Sequence, residues 1–270
     1  MRDAIFVVGT GRTGSSALAR VLGLCGGALP LRTLPANFAN PTGYWEPELS
    51  VALNDRFLEA HGSSWHDATL RLQLGSVEQR EADGLVRDAS FLLALAFESH
   101  GPLVIKDPRI SALLPYWTEA AHRAGMRTTI VHNFRNPEDV AASLASRDGL
   151  SRAESDALWL KYNLLAERET RAFPRVFVSY EELLGGWEGL VGRCRQELGV
   201  ALSVTEGRQH AVEAFLSPQQ RHHASGAIDD AAGPVARSYA LLRDAQRGRA
   251  DAAAFDELFA AFATVHAGEG

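Results

Sequence analysis

Cysteine is nearly absent from the sequence, and its scarcity excludes two classes of protein. The 270 residues contain only Cys25 and Cys194, far apart, with no Cys-x-x-Cys pair and no Cys/His cluster. A disulfide framework needs several cysteines, and a structural zinc site needs about four ligands at short spacings. The sequence therefore predicts neither a disulfide framework nor a zinc site, and its low cysteine content fits a reducing compartment.

The sequence also lacks a net positive charge and long apolar runs. The formal net charge is −6, with 27 Lys and Arg against 33 Asp and Glu, whereas a general nucleic-acid-binding protein would be basic. No apolar run approaches the ~20 residues of a membrane span. A strand pattern begins at once, which leaves no room for the apolar core of a signal peptide. We therefore expect a cytoplasmic protein with no nucleic-acid partner and no transmembrane segment.

The order of apolar patterns predicts an α/β fold. Short apolar strands end near residues 8, 106, 134 and 180, and helical patterns cover residues 15–24, 48–61, 76–100, 111–124, 137–147 and 151–171. Strands that alternate with helices favour a central parallel sheet flanked by helices. Because the sequence has no repeat and no linker, we predict one domain over residues 1–270. It would have a core of about residues 1–184 and a helical part of about 185–270.

A glycine-rich segment, GTGRTGSS, follows the first strand at residues 9–16. Gly9, Gly14 and Ser16 have the spacing of a Walker A loop, but Ser15 stands at the lysine position and the cation is Arg12. Glycines let backbone N–H groups converge on a phosphate at the start of a helix. The segment therefore predicts a phosphate site, or otherwise a glycine-rich turn with a serine cap. The missing lysine weakens the prediction of an ATPase or kinase.

Cations also follow the later strands. Residues 106–109 read KDPR and residues 135–137 read RNP, while SYE at 179–181 begins another helix. The carboxyl ends of parallel strands meet at one edge of the sheet, where ligands of open α/β folds bind. We therefore expect an anionic ligand at this edge.

One further segment resembles a known family. FRNPEDVAASL, residues 134–144, looks like the 3′-phosphate segment of the sulfotransferases that use 3′-phosphoadenosine 5′-phosphosulfate (PAPS). GTGRTGSS is similar to their 5′-phosphosulfate loop, with an arginine where lysine is usual. The resemblance implies a P-loop-like fold, PAPS as donor, 3′-phosphoadenosine 5′-phosphate (PAP) as product, and no metal. It assigns the 3′-phosphate to Arg135 and Ser143, and the phosphosulfate to Arg12, Thr13, Gly14, Ser15 and Ser16.

Weaker matches concern residues near the other strand ends and late in the chain. Tyr180 resembles the family tyrosine that packs on the adenine, although it could be an ordinary aromatic at a strand end. Lys106 resembles the cation that neutralises the sulfuryl group, although residues 106–109 could instead form a surface ion cluster. Arg221 is the best cation for a late loop over the 3′-phosphate, and Arg237 is its alternative.

The catalytic base is predicted less directly. Well-studied members of the family place a histidine two residues after the strand-end lysine, but this chain has Pro108 there. NPTGYWEPEL instead resembles members that use a glutamate after the first helix, which makes Glu46 the candidate base and Glu48 the alternative. Asp107 and His132 are the next candidates. We expect Glu46 to be partly buried beside aromatic residues, an environment that favours accepting an alcohol proton.

The acceptor is left open by the sequence. Aromatic residues between 36 and 65 are predicted to line the acceptor side, or otherwise to belong to the core: Phe38, Tyr44, Trp45, Phe57 and Trp65. Such a wall suits a hydroxyl or amine of a small molecule, a glycan or a lipid. Two other functions compete with sulfuryl transfer: a P-loop small-molecule kinase, and a non-catalytic nucleotide-binding protein on the same scaffold. The oligomeric state is not predicted.

Overall fold

The centre of the molecule is a parallel sheet. The computed structural model describes residues 1–38, 40–97, 100–216 and 233–268. In these ranges β1 (Arg2–Val8), β2 (Leu103–Lys106), β3 (Met126–Phe134) and β4 (Arg175–Ser179) pair in parallel in the order β2-β1-β3-β4. Helices flank the sheet, so the predicted α/β architecture is confirmed. The extent of the single domain stays a prediction.

The helices connect and cover the strands. In chain order the described ranges hold α1 (Ser15–Leu24), α2 (Glu48–Ala60), α3 (Arg71–Leu74), α4 (Gln79–Leu95), α5 (Leu114–Arg123), α6 (Pro137–Asp148), α7 (Arg152–Glu169), α8 (Tyr180–Glu197), α9 (Glu206–Phe215), α10 (Pro234–Gln246) and α11 (Ala252–His266). A short 3₁₀ helix, Pro108–Ala112, lies between β2 and α5. None of the helices within these ranges has the length and apolarity needed to cross a bilayer.

Three boundaries differ from the sequence prediction. The helix predicted over 76–100 is the shorter α4, preceded by the single turn α3. Helical structure after β2 begins earlier than predicted, because the Asp107 side chain accepts the Arg109 N–H and Pro108 fits the first turn. The strand predicted to end at Tyr180 stops one residue before it, since the Ser179 hydroxyl accepts the Glu182 N–H and caps α8.

Alternate residues of a strand point to opposite faces of the sheet, and in this sheet the residues on both faces are apolar. On β1, Ala4, Phe6 and Val8 pack with α4 and α5, whereas Ile5 and Val7 pack with α1 and α8. All five side chains are at most 2% exposed. Each fully buried larger side chain contributes about 1.5–3 kcal/mol to stability. This two-sided burial holds β1 at the centre of the sheet.

The strand order creates a crevice at the carboxyl edge. After β1 the chain adds β2 on one side and then crosses to add β3 on the other. Ligands of open α/β sheets bind where the order switches in this way. The glycine-rich segment leaves β1 at this point, with Lys106 ending β2 on one side and Arg135 following β3 on the other. The fold thus brings the glycine-rich segment, Lys106 and Arg135 to one crevice.

Lysine is confined to the interior. The chain has two lysines, Lys106 and Lys161, and their exposures are 3% and 1%. The Lys161 ammonium donates to the Asp67 carbonyl at 2.6 Å. Burial lowers the pKa of Lys161 to about 8, because removing an ammonium from water disfavours its charged form.

Candidate active site

A cavity of about 740 Å³ opens at the crevice between β1 and β3. Its volume lies within the range of ~300–1,000 Å³ that is usual for small-molecule and cofactor sites. The charged and polar residues in its wall are Arg12, Ser15, Ser16, Asn40, Thr42, Tyr44, Glu46, Lys106, Arg135, Asp139, Ser143, Ser146, Arg147 and Tyr180. Most of the predicted site residues therefore share one cavity.

The backbone of the glycine-rich segment lies in close contact with Asn133 of β3 and with Tyr180. Gly9 has φ +123°, and a Cβ atom there would lie 2.2 Å from the Asn133 carbonyl oxygen. Gly14 has φ +80°, and a Cβ atom there would lie 2.3 Å from the Tyr180 ring. Arg12 also adopts a left-handed backbone, with φ 67°. Only glycine fits at Gly9 and Gly14, so the turn stays tight and ends at the start of α1.

The N-terminus of α1 lies at the cavity and has no acidic residue of its own. Gly14 is its N-cap residue, no side chain caps the helix, and its first turn holds no acidic residue. Ser15 and Ser16 line the cavity, whereas the Thr13 side chain is buried and donates to the Thr10 carbonyl at 3.0 Å. A helix start of this kind favours an anion through its N–H groups and its dipole.

One side of the cavity, which we call the β2 side, consists of Ser16, Glu46 and Lys106. The Lys106 ammonium hydrogen-bonds to the Glu46 carboxylate and lies 3.3 Å from the Ser16 hydroxyl oxygen. The other carboxylate oxygen of Glu46 is 3.6 Å from the Arg109 guanidinium. Glu46 is 5% exposed. The expected burial of Glu46 is therefore observed, and the side-chain partners of its carboxylate are two cations, Lys106 and Arg109.

The opposite side, which we call the β3 side, consists of Arg12, Arg135, Ser143 and Arg147. The Arg12 Nε atom donates to the Ser143 hydroxyl oxygen at 2.8 Å, which joins the glycine-rich segment to α6. Burial, followed by the neighbouring charge of Arg147, lowers the pKa of Arg12. Arg12 was predicted to meet the phosphosulfate, and this role stays a prediction. Its side chain contacts Ser143, the residue predicted for the 3′-phosphate.

Arg135 is fixed by several contacts. Its guanidinium lies 4.3 Å from the centre of the Tyr180 ring, and its Nε atom is 3.3 Å from Asp139. A second guanidinium nitrogen lies 3.5 Å from the Arg12 carbonyl. Tyr180 therefore supports Arg135 on one side and Gly14 on the other, which places its ring between the two predicted phosphate segments.

Arg147 is a cavity residue that the sequence reasoning missed. It lies one helical turn after Ser143 on α6, so the two residues share a face. Its guanidinium pairs with Asp148, at 2.8 Å from Nε and 2.7 Å from Nη2, and lies 4.9 Å from the centre of the Trp65 ring. The spacing of four from Ser143 was the available signal, but it is too common in helices to be specific.

The alternative bases lie elsewhere. Glu48 is exposed in the first turn of α2 and does not line the cavity. His132 is fully buried beneath the sheet edge, where its Nε2 atom is 3.0 Å from the Asn163 side-chain oxygen. Burial lowers the pKa of His132 to about 4. His132 is a core residue.

Asp107 has a structural role. One of its carboxylate oxygens accepts hydrogen bonds from Ser50 and Asn54, both at 2.9 Å. The other accepts from the Arg109 N–H and guanidinium, both at 3.0 Å. With four donors and no exposure to solvent, this carboxylate joins α2 to the end of β2 and has no oxygen directed at the cavity.

Of the two late-chain cations, Arg237 alone belongs to the described residues. Arg221 lies outside the described residues. Arg237 is exposed on α10, where it pairs with Glu257, and it does not line the cavity. In the described part of the chain, no group of three or more His, Cys, Asp or Glu side chains is arranged to hold a metal ion.

The predicted aromatic wall is only partly present. Phe38 and Tyr44 line the cavity, and Phe38 is fully exposed. Trp45 packs against the apolar cluster of α1 and α8, and Phe57 is buried in the cluster of α4 and α5. Trp65 lies under Arg147. Two of the five aromatic residues therefore line the cavity.

Comparisons with known proteins give structural similarity only. No protein-family model matches the chain, and no curated protein matches its sequence. The sulfotransferase domain of the Synechococcus PCC 7002 olefin synthase is similar with a TM-score of 0.47 and 17% identity, covering 100% of this chain and 97% of that one. Sulfotransferase STF1 from Mycobacterium tuberculosis H37Rv has a TM-score of 0.43 and 16% identity, covering 80% and 72%. Mouse sulfotransferase SULT7A1 complexed with PAP has a TM-score of 0.42 and 14% identity, covering 97% and 84%. Similarity at this level does not establish the activity of this chain.

Proposed function

We propose that this protein is a sulfotransferase that moves a sulfuryl group from PAPS to a hydroxyl or amine of a small molecule, a glycan or a lipid. The observation that carries the proposal is the hydrogen bond from Arg12 to Ser143. It joins the two segments that resemble the phosphosulfate loop and the 3′-phosphate segment, 131 residues apart in the chain. Two motifs that meet in one cavity support the resemblance more strongly than either motif alone.

The cavity suits a ligand with two separate anionic groups. The uncapped start of α1, with Ser15, Ser16 and the nearby Lys106, would hold the phosphosulfate. Arg135 and Ser143, on the β3 side, would hold the 3′-phosphate. We assign Arg12 to the β3 side because of its contact with Ser143. Tyr180 lies between the two groups, a place from which its ring can pack on the adenine.

Glu46 is the best-supported base. Two carboxylates, Glu46 and Asp139, belong to the described wall of the cavity. Asp139 pairs with Arg135 on the β3 side, whereas Glu46 lies beside Lys106 and the start of α1. A base must lie within hydrogen-bond reach of the proton that it accepts. Of the two carboxylates, only Glu46 lies on the side where the sulfuryl group would be transferred.

The reaction uses these groups in a simple division of roles. PAPS supplies an activated sulfuryl group whose transfer leaves PAP. Glu46 accepts the proton of the acceptor hydroxyl or amine as the new bond to sulfur forms and the bond to the leaving phosphate oxygen breaks. Lys106 and the N–H groups of α1 stabilise negative charge that develops on the oxygens around sulfur. Phe38 and Tyr44 provide an apolar and aromatic surface for the acceptor.

Calorimetry tests the donor assignment directly. PAP, the product, should bind to the full chain without magnesium, and more tightly than ATP with or without magnesium. A PAPS transfer assay over a panel of hydroxyl and amine compounds then tests the reaction. Tighter binding of magnesium-ATP would favour the kinase alternative. Tight PAP binding with no transfer to any acceptor would favour a non-catalytic nucleotide-binding protein.

A further inference from the structure

Two guanidinium groups in the cavity wall, those of Arg12 and Arg147, keep donor groups that have no partner among the described residues. In Arg12, only the Nε atom has a side-chain partner, Ser143, and the two terminal nitrogens have none among the described residues. In Arg147, Asp148 takes the Nε and Nη2 atoms, and Nη1 has no partner among the same residues. Three terminal nitrogens therefore remain available to a ligand.

Both guanidinium groups line the same cavity, Arg12 from the glycine-rich segment and Arg147 from α6. The charge of Arg147 is the largest influence after burial that lowers the pKa of Arg12. Like charges that share a partly buried site destabilise each other unless an anion lies between them. Each group is nevertheless fixed in place, Arg12 by Ser143 and Arg147 by Asp148 and the Trp65 ring. Asp148, which pairs with Arg147, offsets part of this repulsion, and an anionic ligand would offset more of it.

We propose that Arg147, together with Arg12, binds the 3′-phosphate of PAPS. Arg147 would then be a specificity-determining residue for nucleoside 3′,5′-bisphosphates over nucleoside 5′-monophosphates. The proposal rests on the proposed function, since it names the end of PAPS that this site receives. The assignment follows from position, because Arg147 lies on the same face of α6 as Ser143 and across the cavity from Lys106. Arginine suits the role because its planar fork matches the phosphate oxygens.

A purely structural role is the competing interpretation. Arg147 could simply fasten the end of α6 to the segment that contains Trp65, through the ring contact and the pair with Asp148. The two roles make opposite predictions for Asp148→Asn. If Arg147 binds phosphate, removing the countercharge leaves PAP affinity unchanged or raises it. If Arg147 only holds the end of α6 in position, loss of the ion pair should weaken PAP binding as much as Arg147→Met does.

The experiment measures PAP and adenosine 5′-phosphate binding by calorimetry for wild type, Arg147→Met, Asp148→Asn and Arg123→Ala. Arg123 is an exposed arginine on α5, outside the cavity, and serves as the matched control. Arg147→Met keeps an apolar chain over Trp65. It should weaken PAP binding about ten-fold or more while changing adenosine 5′-phosphate binding by less than about two-fold, because a charge-assisted contact to one phosphate is lost.

The possible failures can be distinguished. If wild type does not bind PAP, the donor assignment fails, and the role of Arg147 fails with it. If wild type binds PAP but Arg147→Met weakens PAP and adenosine 5′-phosphate equally, the proposed function stands and the role of Arg147 is overturned. Equal weakening of PAP binding by Asp148→Asn and Arg147→Met also overturns it. A thermal unfolding scan of each variant identifies any loss of binding that comes from misfolding.

Discussion

The two sides of the cavity handle charge in opposite ways. On the β2 side, Lys106 and Glu46 are almost fully buried and neutralise each other, with Arg109 as a further partner. On the β3 side, Arg12 and Arg147 keep terminal nitrogens without a partner in the described chain. The fold therefore has a charge-balanced side and a side with excess positive charge, separated by the start of α1.

This difference separates two tasks. An excess of positive charge attracts and holds an anion, and the free energy of that contact is available for binding. A balanced, buried pair contributes little to net attraction, but its members are held in fixed positions, as chemistry requires. We therefore expect changes on the β2 side to affect turnover and stability, and changes on the β3 side to affect donor affinity.

Glu46→Gln should have the largest effect. It removes the base while keeping the shape of the side chain, so turnover should fall by ~10²–10⁴. PAP affinity should stay the same or rise, because Lys106 loses its countercharge. Initial rates of sulfuryl transfer and calorimetry check both expectations. Glu48→Gln, in an exposed residue two positions later, is the control and should be nearly as active as wild type. An active Glu46→Gln variant would contradict the assignment.

Lys106→Met should reduce stability next most strongly. It leaves the Glu46 carboxylate buried with Arg109 as its remaining cation at 3.6 Å. Breaking a buried ion pair from one side costs about 3 kcal/mol at the lower end of measured cases, and urea unfolding can measure such a loss. The double variant Glu46→Gln/Lys106→Met should recover most of the loss, because it removes both charges. If the double variant is as unstable as the single one, the pair does not set the stability of the β2 side.

Arg135→Ala should weaken PAP binding by ~10–100-fold, since a charge-assisted contact is worth ~1.5–3 kcal/mol. Turnover at saturating PAPS should change much less, because Arg135 lies away from the transferred group. Binding isotherms and a PAPS saturation curve provide the two measurements. Equal losses for PAP and adenosine 5′-phosphate would mean that Arg135 does not recognise the 3′-phosphate.

Ser143→Ala should have the smallest effect. It removes a neutral hydroxyl that we propose to bind phosphate and that accepts a hydrogen bond from Arg12. PAP affinity should therefore fall by about two- to ten-fold, as one lost hydrogen bond implies. Ser146→Ala is the matched control, because it changes another serine of the same helix that lines the cavity. A loss in Ser146→Ala as large as that in Ser143→Ala would show that the contact of Ser143 is not special.

The fold was predictable because strong local patterns determine it. The continuous apolar runs of β1 and β3 are buried on both faces of the sheet. The turn after β1 needs glycines for steric reasons, and these glycines are visible in the sequence. The ends of α4 were less predictable, since no strong cap or proline marks them in the sequence. The one-residue shift at Tyr180 follows from the Ser179 cap, a signal that competes with the apolar run of β4.

The site was predictable in its members more than in their pairings. The family resemblance selected Arg12, Ser143, Lys106 and Glu46, and all four line the cavity. It could not say that Arg12 meets Ser143 or that Glu46 meets Lys106, because those contacts join segments 131 and 60 residues apart. Arg147 was missed for the same reason, since its importance depends on Trp65 and Arg12, which lie on other segments.

The burial of both lysines has a practical consequence for labelling. Lys106 and Lys161 are the only lysines of the chain, and neither side chain is accessible in the folded protein. Amine-selective reagents should therefore modify the folded chain chiefly at its N-terminal amine, whereas an unfolded chain offers both lysines as well. Mass spectrometry after brief acylation then reports opening of two separate regions, the cavity at Lys106 and the middle of α7 at Lys161.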